Sequence, residues 1–178
     1  VKDYLNQRRG DVLTTGNLSH AADENLRVVG LDASSCLAKA VECKQAIAGS
    51  QGLRDERRLA TLSELWLKTA LDGEKADHAL NNGPATLDAY LQSARYAYAY
   101  LFHTSRQPSE RAFEDRQTQV RDYYNFATQQ VVTLLFKMYK HAGQNQQPLQ
   151  PLGNWQLQTR LENVRLPDGQ PMPEEIIP

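Results

Sequence analysis

The sequence lacks a charge imbalance and long apolar runs. Its 20 Lys and Arg residues face 21 Asp and Glu residues, for a net charge of −1. A protein dedicated to nucleic acid presents a basic face, so this balance argues against a nucleic-acid partner. No apolar run approaches the roughly 20 residues that a membrane-spanning helix needs. At 178 residues the chain is long enough for one well-buried core, or at most two small ones, and its 40% hydrophobic residues are ordinary for a globular protein.

Sequence motifs for catalysis and cofactor binding are also missing. The four histidines lie in different segments, without the HExxH or CxxC spacing of a metal site. The stretch closest to a nucleophile elbow, "AGSQG", has the wrong spacing and is typical of a loop. No phosphate-binding or dinucleotide-binding glycine run occurs, and no carboxylate is clearly placed on an apolar face. We therefore assign no catalytic, cofactor-binding or metal residue, and the residues alone leave enzyme activity undecided.

The hydrophobic spacing predicts a mainly α protein, a bundle of about five helices. Ser19 and Asp32 are predicted N-caps, Gly30 ends the first helix, and Pro84 takes the first position of the fourth. Ser109 is the predicted cap of the longest helix. The predicted helices cover residues 19–29, 33–48, 55–71, 84–105 and 109–141.

Aromatic and apolar residues of the last two helices indicate how they pack. In the longest helix a seam steps by four and three residues, as expected where two helices meet: Val120, Tyr124, Ala127, Val131, Leu134 and Met138. In "YAYAYLF", Tyr96 and Tyr100 share a face and Tyr98 lies nearly opposite. Core packing is favoured over a stacking surface for bases or sugars, because a buried Tyr needs only one partner for its hydroxyl. Asn125 is a candidate buried hydrogen-bonding residue.

The C-terminal part changes character. A Gln/Pro-rich connector at 144–153 cannot continue a helix. In "NWQLQTRLE" the period is two residues, which predicts a half-buried strand whose inner face holds Trp155, Leu157, Thr159 and Leu161. A turn at Asp168 and Gly169 follows, so a local hairpin with "MPEEII" is one alternative. The other is pairing of residues 155–166 with a sheet outside this chain.

The predicted organisation has four parts. Residues 1–18 form an irregular lead-in and 19–143 the helical bundle. Residues 144–153 are the linker, and 154–178 a strand and turn that lead into a further domain. The start at Val1 and the apolar end at Ile176 and Ile177 are interpreted as lying inside a longer polypeptide.

The two cysteines, Cys36 and Cys43, can be bonded or free. In a continuous helix their Cα atoms would be about 10.5 Å apart at 1.5 Å per residue. A disulfide needs less than about 7 Å. The intervening "LAKAVE" has no Gly or Pro and favours a continuous helix with two free thiols, whereas a disulfide requires a break between them. Residue chemistry leaves both open, and the redox compartment decides.

Several stretches resemble one family: "LSHAADENLRVVGLDASSCLAKAVECKQAI", "LRDERRLATLSELWLKTAL", "DAYLQSARYAYAYLF", "VRDYYNFATQQVV" and "LPDGQPMPEEIIP". Together they are similar to the N-terminal helical region of large envelope-associated α/β-hydrolases of Gram-negative bacteria. These proteins are lipase-like or esterase-like and often predicted lipoproteins. The family's serine elbow and its His and Asp partners lie downstream of the helical region, so no catalytic residue is carried over to this chain.

The resemblance has three implications. It implies an exported protein in the periplasm or at the outer membrane, with possible lipid anchoring upstream of Val1. It favours a Cys36–Cys43 disulfide with the helix broken between the cysteines. It also implies a non-catalytic accessory region without a cofactor, whose strand at 155–166 pairs with a downstream hydrolase domain or with a second protein chain.

A different class of protein is the alternative. The predicted helices 55–71, 84–105 and 109–141 have roughly the rhythm of tetratricopeptide-like hairpins, which bind peptides in a groove. The fit to that repeat is poor, because the segment 73–83 is long and the third helix exceeds the usual unit. On this hypothesis the chain is a self-contained protein-interaction module of the cell envelope.

Overall fold

A computed structural model describes residues 10–76 and 83–141, with side chains up to residue 135. This part is mainly α and contains no strand, so the prediction of a helical bundle is confirmed there. Six α-helices and one 3₁₀ turn form it: α1 (His20–Val28), α2 (Ala33–Ala38), α3 (Ala40–Gly49), α4 (Asp55–Ala76), α5 (Gly83–Phe102), the 3₁₀ turn (Pro108–Arg111) and α6 (Asp115–His141).

The first two helices begin and end at the residues that the sequence indicates. Ser19 is extended and its Oγ accepts the N–H of Ala22 at 3.1 Å, so it caps α1. Gly30 has φ +74, the left-handed conformation that commonly ends a helix. Asp32 then forms a capping box with Ser35 at the start of α2.

Helix α4 lies at the centre of the bundle and contacts α1, α3, α5 and α6. Its residues 60–65 are all buried, so this stretch is surrounded by neighbours. The polar members of the stretch each have a partner on another segment. The Thr61 hydroxyl accepts a hydrogen bond from the side-chain amide of Asn25 in α1, while the Ser63 hydroxyl donates to the carbonyl of Ser93 in α5.

Helices α4 and α5 run antiparallel in close contact. Near one end Arg106, just after α5, bonds to Glu56, and near the other the Tyr90 hydroxyl donates to Glu74 at 2.7 Å. Between these points Ser63 and Ser93 donate to each other's carbonyl oxygens at 3.1 and 2.9 Å. Small side chains at this crossing allow the two backbones to approach.

Buried apolar residues form two clusters. The larger one joins α4, α5 and α6 and includes Leu67, Leu87, Tyr90 and Val120. The smaller one joins α1, the disulfide, α3 and α4: Leu26, Cys36, Cys43, Ile47, Leu53, Leu62 and Leu65. Each cluster is held by α4, which explains why that helix has the longest run of buried residues.

Four helix-level predictions need correction. There are six helices rather than about five, because Lys39 interrupts the predicted helix 33–48. The longest helix begins at Asp115 rather than Ser109, since residues 108–111 form a 3₁₀ turn with Pro108 at its start. Tyr123, fully buried, occupies the seam position assigned to Tyr124. Asn125 is exposed rather than buried.

The predicted boundaries between the lead-in, the bundle, the linker and the C-terminal segment stay predictions. Asp11 and Val12, within the predicted lead-in, are buried against the bundle. The linker 144–153 and the segment 154–178 lie outside the described residues, as do Trp155, Leu157, Thr159 and Leu161. The strand and its pairing are therefore retained as a prediction.

Candidate functional site

A disulfide joins Cys36 of α2 to Cys43 of α3, with the two Cα atoms 5.1 Å apart. The chain turns at Lys39, whose φ of −129° and ψ of 59° are not helical. Both cysteines are almost completely buried in the smaller core cluster. The disulfide and the helix break therefore occur together, as the sequence requires of any bond between these two residues.

A buried carboxylate, Glu64, connects three segments. It accepts the backbone N–H of Ser19 at 2.5 Å and the Ser19 hydroxyl at 2.8 Å. Nη1 of Arg116 donates to it at 2.7 Å and also to the Ser19 Oγ at 2.9 Å. Glu64 has no exposed surface and the Arg116 side chain is 16% exposed, so the pair is largely excluded from water.

The Ser19 hydroxyl makes three hydrogen bonds. It caps α1, donates to Glu64 and accepts from Arg116. Its partners in the described part of the chain do not include an imidazole, since the ring of the neighbouring His20 lies 3.2 Å from Glu24, and Ser19 is buried. This constellation holds α1, α4 and α6 together and has the features of a structural network rather than an activated nucleophile.

Tyr123, whose ring centre lies 6.0 Å from the guanidinium carbon of Arg116, connects this network to the start of the described chain. Its hydroxyl donates to Oδ2 of Asp11 at 3.2 Å, while Oδ1 of Asp11 accepts the backbone N–H groups of Leu13 and Thr14. Burial raises the pKa of Tyr123, and the carboxylates of Glu64 and Asp11 add to the effect. Asp11 thus fixes residues 11–14 against α6.

Sequence reasoning missed Glu64, because it found no carboxylate clearly placed on an apolar face. A second stripe of α4 does carry it: Ala60, Glu64 and Leu67 are spaced by four and three and all are buried. An amphipathic pattern describes one apolar face, and a helix enclosed on all sides has more than one.

Arg111 is a fully buried cation near the end of α5. Its Nη2 donates to the carbonyl oxygens of Tyr100, Leu101 and Arg106, at 3.0, 3.4 and 3.2 Å. Its guanidinium also lies 4.4 Å above the Tyr100 ring. Cations favour the carbonyl end of a helix, so Arg111 terminates α5. Its Nε and Nη1 have no acceptor among the described residues.

Lys44 of α3 is buried beside the disulfide, with 8% of its surface exposed. Its Nζ lies 4.0 Å from the centre of the Trp66 ring, a cation–π arrangement. Burial lowers the pKa of Lys44 to about 8. The contact between Lys44 and Trp66 joins α3 to α4.

An open basin of about 1120 Å³ lies at the N-terminal end of α4. Its charges are mixed. Arg58 pairs with Asp55, and Arg106 with Glu56 and Glu114. The hydrogen bond from Arg106 lowers the pKa of Glu56. The ion pairs of Arg106 join the start of α4 to the α5–α6 connection.

A group of aromatic rings, hereafter the ring surface, consists of Tyr98, Phe102, His103 and Tyr124. The Tyr98 ring centre lies 4.8 Å from that of Phe102, 5.5 Å from His103 and 6.1 Å from Tyr124. Tyr98 is 45% and Phe102 57% exposed. Of the three tyrosines in "YAYAYLF", Tyr100 is in the core as predicted, whereas Tyr98 forms part of this surface.

A shallow groove of about 360 Å³ continues from the ring surface along α6. Tyr124 belongs to both, and Val132, 42% exposed, is the apolar residue further along the groove. Its other lining side chains are neutral and polar: Asn125, Thr128, Gln129 and Thr133. Together these residues give α5 and α6 a partly apolar outer side.

The histidines lie apart. His20 is 3.2 Å from Glu24 on the surface of α1, His103 belongs to the ring surface, and His78 and the side chain of His141 are outside the described residues. Among the described side chains, no three His, Cys, Asp or Glu residues come together as metal ligands would. No described helix has the length and apolarity that crossing a membrane requires.

Comparisons with protein-family models, with curated proteins and with solved structures find no match to this chain.

Proposed function

We propose that this chain is the non-catalytic helical accessory region of an exported, envelope-associated serine hydrolase of the lipase or esterase type. Its helices pack on, or position, a downstream α/β-hydrolase domain that carries the catalytic residues. The sequence resemblance supplies the hydrolase class. The observation that carries export is the disulfide inside the smaller core cluster.

The position of the disulfide supports an oxidising compartment. Disulfides persist in the bacterial periplasm and at the cell surface and are rare in the reducing cytosol. Cys36 and Cys43 are each 1% exposed, and the chain bends between them to bring them together. The bond is thus part of the core rather than a surface contact, which agrees with a domain that folds in the periplasm.

The ring surface supports a role in packing on another domain. Aromatic rings are enriched where protein interfaces are most buried. Tyr98 and Phe102 offer such rings at the end of α5, and the groove of α6 continues them. We assign this side of the bundle to the contact with the hydrolase domain.

A hydrolysis assay tests the division of labour. Purified 1–178 should not hydrolyse a short-chain nitrophenyl ester, while protein from a longer coding sequence, with a G-x-S-x-G beyond Pro178, should. A serine-directed inhibitor should abolish the activity of the longer protein. Inhibitor-sensitive hydrolysis by 1–178 itself would show that this region is catalytic and overturn the proposal.

A second candidate is a self-contained helical interaction module, tetratricopeptide-like in rhythm. The observation that favours it is the succession α4, α5, α6, in which each helix packs on the next. A peptide or protein that binds 1–141 as tightly as 1–178, with no hydrolase domain encoded downstream, would favour the module. Dependence of binding on residues 155–166 would favour the accessory region.

A further inference from the structure

We propose that residues 33–49, hereafter the elbow, form a redox-dependent joint. With the Cys36–Cys43 disulfide intact, α2 and α3 are two helices bent at Lys39. Reduction of the disulfide allows them to join into one continuous helix. The inference depends on this region alone and holds whether or not a hydrolase domain follows.

The disulfide and a continuous helix exclude each other. The Cα atoms of Cys36 and Cys43 are 5.1 Å apart in the bent form. Seven residues of straight helix would separate them by about 10.5 Å, beyond the roughly 7 Å that a disulfide spans. Breaking the bond therefore removes the covalent obstacle to a straight helix.

Joining α2 and α3 into one helix would add backbone hydrogen bonds at residues 40–42. The N–H of Lys39 donates to the carbonyl of Ser35 at 3.2 Å, and the ladder resumes where Cys43 donates to Lys39 at 2.9 Å. The N–H groups of residues 40–42 fall between these bonds, in the first turn of α3. First-turn N–H groups have no acceptor within their own helix, and no side chain caps α3. In a continuous helix they would donate to the carbonyls of residues 36–38.

The residues at the bend favour the continuous form. The segment "LAKAVE" contains Leu, Ala, Lys and Glu, which are good helix formers, and no Gly or Pro. Lys39 has non-helical φ and ψ without the special residue type that a bend usually uses. The bend is therefore imposed by the disulfide rather than specified by local sequence.

Helix α2 is the arm that moves. It contributes one buried residue, Cys36, whereas α3 contributes Cys43, Lys44 and Ile47 and contacts α4. At its other end α2 follows Gly30, whose φ of +74° marks a turn with open space beside its Cα atom. We expect α3 to stay on α4 while α2 realigns with it, which uncovers Cys36 and leaves Cys43 buried.

The chemistry needs a dithiol reductant. A thiolate attacks one sulfur of the disulfide and displaces the other as a thiolate, giving a mixed disulfide. The second thiol of the reductant then releases the first cysteine. Cys36 and Cys43 together gain two electrons and two protons, and the reductant becomes a cyclic disulfide. Because both sulfurs are buried, attack requires local opening of the elbow.

Residue-resolved hydrogen exchange tests the joint. In oxidised 1–178 the amides of Ala40, Val41 and Glu42 should exchange fast. With dithiothreitol they should slow by about tenfold or more, as expected of newly bonded amides. Iodoacetamide should then label Cys36 well before Cys43. Unchanged exchange at residues 40–42 would overturn the proposal, as would equal labelling of the two thiols or loss of cooperative unfolding on reduction.

A matched pair of variants isolates the joining of the helices. Ala40→Pro suits the bent form, because position 40 is the first residue of α3, where a helix tolerates Pro. It is incompatible with the interior of a joined helix, so reduction should no longer slow exchange at Val41 and Glu42. Ala40→Ser, which a continuous helix accepts, should retain the slowing. The same slowing in both variants would contradict the proposed joint.

Discussion

Glu64 and Arg116 form an ion pair of 2.7 Å inside the bundle, between residues 52 positions apart in the chain. The pair joins α4 to α6, and Ser19 adds α1 through two further hydrogen bonds to the same carboxylate. Burial acts to lower the pKa of Arg116, but the Glu64 carboxylate, with smaller contributions from Tyr123 and Tyr100, outweighs it and the pKa is raised. The guanidinium therefore remains charged, and the Glu64 carboxylate neutralises its charge.

Replacement of Glu64 should be costly. Glu64→Gln leaves the Arg116 cation largely buried without its counter-charge, and breaking such a pair typically costs about 3–5 kcal/mol of unfolding free energy. Urea unfolding followed by circular dichroism measures it. Glu24→Gln, at the exposed His20–Glu24 pair, is the control and should change stability by less than about 0.5 kcal/mol. A similar small effect at both sites would contradict a stabilising role for the buried pair.

The Ser63–Ser93 contact should tolerate loss of a hydroxyl better than added volume. Each hydroxyl donates to the other residue's carbonyl, so Ser63→Ala should cost about 1 kcal/mol. Ser63→Leu inserts a large side chain between two packed helices and should cost about 3 kcal/mol or more. Thermal and urea unfolding of the two variants provide the comparison. Equal destabilisation would indicate that α4 and α5 are not closely packed here.

The disulfide should be detectable and moderately stabilising. Intact mass should rise by about 2 Da on reduction, from the two hydrogens gained. The chain-entropy model gives a short loop of this kind about 2.5 kcal/mol of stabilisation. Hydrogen bonds gained in a joined helix would reduce that loss. We therefore expect reduction to lower the unfolding free energy by no more than about 2.5 kcal/mol, and an unchanged mass would show that the cysteines are free.

The helices could be predicted from the sequence where local signals decide them. Ser19, Gly30 and Asp32 mark the ends of α1 and the start of α2 because caps act through neighbouring backbone groups. The break at Lys39 has no such signal, since "LAKAVE" favours a helix. It depends on a covalent bond, and residue chemistry left that bond open until the resemblance favoured it.

The candidate sites depend on contacts that one-dimensional patterns do not contain. Glu64 is paired with Arg116 across the fold, and the seam uses Tyr123 rather than its neighbour Tyr124. Adjacent helical residues differ by about 100° in direction, and both positions 123 and 124 fit the spacing of a seam through Val120 and Ala127, so the sequence does not decide between them. The ring surface was missed for a related reason. Tyr98 was assigned to the core because nothing in the sequence shows which side of α5 lacks a neighbour.

Lys44 should make stability depend on alkaline pH. Its folded pKa of about 8 lies below its ordinary value of 10.5, so between these values the unfolded chain binds more protons. Stability contributed by this residue therefore rises as pH increases from 8 to 10.5, by at most about 3 kcal/mol. The attraction between the charged amine and Trp66 makes the real change smaller.

A Lys44→Met variant isolates that dependence, because methionine retains the apolar packing without a titrating group. At pH 7.5 it should be more stable than the wild type, and the difference should shrink towards pH 10.5. Urea unfolding at five or six pH values measures both proteins. Parallel stability curves across this range would show that the amine of Lys44 is not desolvated on folding.

The ring surface should become covered when the proposed hydrolase domain is present. Hydroxyl-radical footprinting reports side-chain exposure, so oxidation of Tyr98 and Phe102 should fall severalfold in the longer protein compared with 1–178. Phe113, fully exposed in the α5–α6 connection, serves as the internal control and should keep its reactivity.

The Tyr98→Ser, Phe102→Ser double variant should lose about 1 kcal/mol of stability in 1–178, because both rings are already half exposed. In the longer protein it should also weaken the contact between the two domains and so raise the oxidation of Tyr124, the tyrosine of the ring surface that the variant retains. Equal footprints of Tyr98 and Phe102 in the two proteins would place the hydrolase contact on another side of the bundle.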